Sequence, residues 1–252
     1  YNAGIYDYLP WTIQDGWLNE APVADANGPY LVAVGGQVLL DGSASSDPDG
    51  DELTETWTVE GGTVDGNLYT AGSVAGIYDI RLVVNDGQVD SEAAASTVVV
   101  YDPDGGFVTG GGWFDSPEGA YLADLTLTGK ANFGFVSKYV QGATEPTGVT
   151  QFRFKAGDLS FHSDSYQWLV VNQDGTNAQF KGRGAINGEL APNGELYGFM
   201  IWAGDGDATA TDDTFRIRIW YEDETDGTEY DVYDNGTDQA IGGGSIQVHT
   251  GG

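Results

Sequence analysis

The chain has 252 residues, 40% of them hydrophobic and 12% aromatic, with 39 acids against 9 bases and a formal charge of −30. That content supports one or two domains with a real core, contains no apolar run of the ~20 residues a membrane helix needs, and excludes nucleic acid and anionic lipid as default partners. Cysteine is absent and histidine occurs only at His162 and His249, so disulfides, thiolate zinc sites, cysteine nucleophiles and histidine triads lack raw material.

Turn chemistry dominates the pattern. Nine Asp-Gly and four Asn-Gly pairs punctuate the chain, and such pairs accept the positive φ of tight hairpins and loops. No run has a helical period. Residues 1–20 are aromatic-rich and do not alternate; with Tyr1 in place of Met and no signal peptide, they read as part of a processed or excised piece. This extended segment is a remnant of a preceding domain, a stretch folded back on the first sandwich, or a donor strand for a neighbour's sheet. Residues 21–102 hold six or seven short strands. Leu53, Glu55, Trp57 and Val59 share one face, so Trp57 can fill the space between two sheets. Tyr78, Ile80, Leu82 and Val84 share another, opposite Asp79 and Arg81. Tyr78 after Gly76 fits a tyrosine corner.

Residues 103–106 read as a linker, and residues 107–252 as about ten more strands. Phe215, Ile217 and Ile219 face inward there, while Arg216, Arg218 and Trp220 face out. The predicted fold class is all-β: two tandem β-sandwiches, the first Ig-like and the second larger and jelly-roll-like.

Asp47, Asp49 and Asp51 alternate in a Pro-Gly loop. Three close carboxylates repel unless a cation sits among them, and Ca2+ takes six to eight hard oxygens; a solvated acidic turn is the alternative. Gly204-Asp205-Gly206-Asp207 with Asp212 and Asp213, and residues 222–226, are further acidic loops, for which solvated turns are the preferred reading. Trp220 with Arg216 and Arg218 is a candidate sugar-binding surface, with core packing the competing reading for the tryptophans. Asn235-Gly236-Thr237 is a formal glycosylation sequon better explained as a turn.

The run DGSASSDPDGD at 41–51, with Trp57, the start of a strand at 76–78 and Val84-Asn85-Asp86-Gly87, resembles the PKD domain of secreted bacterial proteins. The resemblance implies an Ig-like sandwich and a calcium site in which Asn19, Glu20 and Asp86 complete the set begun by Asp47, Asp49 and Asp51. The runs FVTGGGW at 107–113, GKANFGFVSKY at 129–139, YQWLVV at 166–171, DTFRIRIW at 213–220 and GGGSIQVH at 242–249 resemble a C-terminal module of secreted bacterial multidomain proteins. Tyr6-Asp7-Tyr8-Leu9-Pro10-Trp11 is similar to the closing stretch of secreted parallel β-helix proteins.

The expected function is a non-catalytic, calcium-stabilised extracellular module at a bacterial cell surface, serving as spacer, adhesion or surface-assembly unit. Alternatives are a self-assembling filament or surface-layer subunit joined by strand addition through residues 1–20, and a carbohydrate-binding module that takes a surface polysaccharide. A glycosidase needs only two carboxylates, but nothing places a pair in an aromatic cleft, so no catalytic residue is assigned.

Overall fold

The computed structural model describes residues 19–207, 210–223, 225 and 227–251. The donor-strand and β-helix readings of residues 1–18 lie outside the described residues. Those described form an all-β structure, and among them no helix is long and apolar enough to cross a membrane.

The first unit is a two-sheet sandwich. Strands β1 (Tyr30–Ala33), β7 (Ala94–Tyr101), β6 (Gly76–Asn85) and β3 (Thr54–Val59) form one sheet in that order. The other sheet runs β2 (Gln37–Leu39), β5 (Leu68–Ala71), β4 (Gly62–Asp65). Period-two patterning drives the packing: Ile80, Leu82 and Val84 of β6 are fully buried, as are Val98 and Val100 of β7. Each such side chain contributes about 1.5–3 kcal/mol through burial. Trp57 and Tyr69 fill the space between the sheets. Tyr78 donates its hydroxyl to the Val74 carbonyl at 3.0 Å, four residues upstream, which is the tyrosine-corner contact.

The second unit is a ten-stranded sheet. Its strands are β8 (Gly106–Ser116), β9 (Gly129–Tyr139), β10 (Pro146–Phe154), β11 (Leu159–Val171), β12 (Asn177–Ile186), β13 (Tyr197–Gly204), β14 (Thr214–Glu222), β15 (Glu229–Asp234), β16 (Gln239–Ala240) and β17 (Gly243–Thr250). The order is β15-β14-β13-β12-β11-β10-β9-β8-β17, with β16 beside β14. From β8 to β15 chain neighbours pair in an antiparallel meander, and the chain then crosses over to place β17 beside β8; the curled sheet is consistent with the second, larger sandwich. The sheet curls until its inner face closes on itself. Phe133 on β9 and Phe215 on β14 stack with centroids 3.9 Å apart, although four strands separate them in the sheet. Phe114, Phe152, Phe161, Phe180 and Phe199 complete this aromatic interior. Stacked and tilted pairs of this kind add about 0.5–1.5 kcal/mol each beyond area burial.

A third apolar cluster joins the two units. Ala75 and Val99 of the first meet Trp168 and Val170 of the second, with Val34, Ile77 and Met200 packed against them. Both strands facing this contact break the alternation. Val98, Val99, Val100 and Tyr101 are all buried, as are Trp168, Leu169, Val170 and Val171. A strand covered on both faces needs such a continuous apolar run.

Candidate metal centres

The end of the first unit gathers the predicted site in pieces. Asp49 and Asp51 donate their amide N–H groups to Asp47 Oδ1 at 2.8 and 3.0 Å, so the loop folds around the Asp47 carboxylate. Asp47 Oδ2 is buried and has no hydrogen-bond partner among the described residues. A buried carboxylate oxygen without a donor is costly, and a hard cation is the partner it fits. The incoming segment closes on the same end. Glu20 donates its backbone N–H to Asp49 Oδ2 at 2.7 Å, and Asn19 Nδ2 donates to Asp86 Oδ2 at 2.7 Å.

Asp86 is 8% exposed, and its other oxygen accepts the N–H groups of Gln88 and Val89 at 2.7 and 2.8 Å. The Asn19 amide, and then these backbone donors, hold the Asp86 carboxyl below the usual aspartate range. The six residues thus form two linked groups, Glu20 with the 47–51 loop and Asn19 with Asp86. Asp51 is tied in only through its backbone, and its side chain is exposed.

Among the described residues, three carboxylates converge within 4.8 Å of one another at Asp205, Asp207 and Asp213, a group that could hold a metal ion. The loop after β13 and the start of β14 bring them together. Asp213 accepts the N–H of Gly206 at 2.9 Å and that of Ile246 at 2.6 Å. Asp205 accepts the N–H of Asp207 at 3.1 Å and that of Val248 at 2.9 Å. Two carboxylates therefore cap the outer edge of β17. The acid run was visible in the sequence; its meeting with a strand more than thirty residues later was not.

The Trp220 ring does not face solvent. It is 2% exposed, its indole N–H has no hydrogen-bond partner among the described residues, and a side chain at Gly198 would strike it at 2.6 Å. Lys181 and Arg218 lie over the ring at 5.1 and 4.8 Å. Burial holds the Lys181 ammonium below the ordinary lysine value. Arg216 pairs with Asp234 at 3.0 Å, and Arg218 with Glu229 and Asp231, both at 2.6 Å. As placed, the three candidate ligand residues are occupied by one another and by acids. Asn235 of the sequon is 4% exposed. Its amide oxygen accepts the Ile217 N–H at 2.8 Å and its nitrogen donates to the Phe215 carbonyl at 3.1 Å.

No curated protein matches the chain. Among solved structures it is similar to a nucleoside hydrolase-related hypothetical protein from Saccharophagus degradans that is associated with carbohydrate metabolism, at 30% identity over 34% of this chain. The match spans 26% of that protein, with a TM-score of 0.26. The family model of the PKD domain matches residues 19–100, the first sandwich together with the incoming segment that closes its acidic end.

Proposed function

We propose that the chain is a non-catalytic extracellular module, a calcium-stiffened spacer or adhesion unit of a bacterial cell surface. The observation that carries this reading is the buried Oδ2 of Asp47, which has no hydrogen-bond partner among the described residues, at the end where residues 19 and 20 attach. A calcium ion there would be held by Asp47, Asp49 and Glu20, with Asn19 and Asp86 alongside. It would fix the incoming chain to the sandwich as well as neutralise the loop. Asp205, Asp207 and Asp213 offer a second position for a cation. The apolar cluster between the units suits a spacer, because it sets their angle without a flexible joint.

The test is thermal unfolding of the full chain in millimolar calcium and in chelator. Binding to the folded state alone stabilises it by about 2.7 kcal/mol at a hundredfold excess over Kd. The reading expects a clear rise in melting temperature with calcium and little with Mg2+, which demands a tighter octahedron. Identical melting in calcium and chelator overturns it. So does reproducible turnover in a screen of glycosides, esters and peptides that is lost on mutating one carboxylate.

A further inference from the structure

The outer face of the second sheet carries a trough of about 410 Å³ over the middle of β9, β10 and β11. Strand register builds it. Gln151 stands opposite Gly134 on one side and His162 on the other; Arg153 stands opposite Asn132 and Ser160. The intervening Phe133, Phe152 and Phe161 point into the core. The outward positions therefore form two rows running across the strands, and Gly111 continues the first row onto β8.

No described residue accounts for the two outward glycines. Glycine inside a strand is destabilising relative to alanine, and it persists where something approaches the backbone closely. Gly110 and Gly112 meet that condition internally. A Cβ at Gly110 would lie 2.5 Å from Phe135, and one at Gly112 would lie 2.3 Å from the Gly243 carbonyl. A Cβ at Gly134 would meet nothing within 4 Å, and one at Gly111 nothing nearer than 3.7 Å. Neither residue has a positive φ. The strip of bare backbone is open to an external group.

Polar atoms converge on that strip. The carbonyl of Ser163, 3.1 Å from His162 Nδ1, can only accept, so Nδ1 carries the proton. His162 Nε2 must then accept from the Gln151 amide nitrogen at 3.2 Å. That bond orients the Gln151 side chain and leaves its oxygen without a partner among the described residues. Arg153 is exposed and, like Arg81 in the first unit, makes no ion pair among the described residues, so its guanidinium is open at the trough.

We propose that this trough binds a carboxylated saccharide, a hexuronate oligomer lying across β8 to β11. The guanidinium fork of Arg153 matches one carboxylate with two parallel hydrogen bonds. The amides of Asn132 and Gln151 both donate and accept, which suits sugar hydroxyls. Gly111 and Gly134 let a ring lie against the sheet. The inference goes beyond the spacer reading and uses no residue of the calcium sites, so either can fail alone.

The test is titration calorimetry of the full chain, in calcium-free sodium buffer, with tetramers of galacturonate, guluronate and mannuronate, and with cellotetraose as the uncharged arm. At least one uronate tetramer binds, and cellotetraose binds at least tenfold more weakly. Arg153→Gln weakens uronate binding tenfold or more. Gly134→Val removes it while leaving the melting temperature near wild type, because the added atoms enter open space. Absence of binding by all three uronates overturns the proposal, as does equal affinity for cellotetraose or binding that survives Gly134→Val.

Discussion

The Asp213 carboxylate accepts the backbone N–H of Ile246 at 2.6 Å, which ties the loop before β14 to the outer edge of the last strand. Asp205 does the same for Val248 at 2.9 Å. An open sheet edge invites pairing with another chain, and charge placed against it discourages that. Charge-assisted hydrogen bonds of this kind contribute about 1.5–3 kcal/mol when buried and less when partly solvated. Asp213→Ala is expected to lower stability by about 1–2 kcal/mol in urea denaturation and to raise the tendency to aggregate. Wild-type stability and solubility in this variant would remove the edge-capping role.

Asp86 gives the structure an acid-sensitive tie. Its folded carboxyl sits below the usual aspartate value, chiefly because of Asn19 and then the backbone of Val89 and Gln88. A depressed folded value means the contribution to stability is present above the unfolded value, near pH 4. It is lost as pH falls through the folded one. Protection of the Gln88 and Val89 amides from hydrogen exchange should therefore decline below about pH 4. In Asn19→Ala the Asp86 carboxyl should titrate closer to the ordinary range by NMR; an unchanged titration would show that Asn19 does not set it.

The joint between the units rests on Trp168, which is 6% exposed and packs with Ala75, Val99 and Val170. Replacing a buried tryptophan by alanine costs about 3–5 kcal/mol. The loss in Trp168→Ala should fall on the contact between units, so calorimetry is expected to give one transition for the native chain and two for the variant. A single transition at the wild-type temperature would mean that the cluster does not couple them.

Asn235 holds β14 where β15 leaves it, and each amide atom is engaged. Asn235→Ala leaves the Ile217 N–H and the Phe215 carbonyl without this partner, at a cost of about 1–3 kcal/mol. Denaturant unfolding measures it, and a change under 0.5 kcal/mol would contradict the buried role.

Local features of the fold were legible because period-two patterning reports which face is buried. Ile80, Leu82 and Val84, and Phe215, Ile217 and Ile219, all lie at 0% exposure as their alternation predicts. The meander of the second sheet was not legible, since alternation fixes a strand's faces but not its neighbour. Trp220 shows the limit of parity. It sits beside a register shift between Ile219 and Trp220 and over the bare Gly198, so an outward position is still covered. The joint did leave a signal: the unbroken runs at 98–101 and 168–171 mark strands buried on both faces. In the candidate calcium site, the 47–51 loop is a local motif and was readable. The convergence of Asp205 and Asp213 on β17 depends on tertiary closure and was not.

Calorimetric titration of calcium into the chelated full chain, alongside Asp47→Asn and Asp213→Asn, tests the central claim most directly. Asp47→Asn keeps the side chain's shape and removes the charge at the orphaned oxygen. The account predicts saturable calcium binding by the wild type and loss of at least one site in Asp47→Asn. Asp213→Asn should retain the first-unit site and report separately on the Asp205, Asp207 and Asp213 group. If the wild type binds no calcium at millimolar levels, or Asp47→Asn binds it identically, the acidic end of the first unit is a solvated turn and the calcium-stiffened module is contradicted.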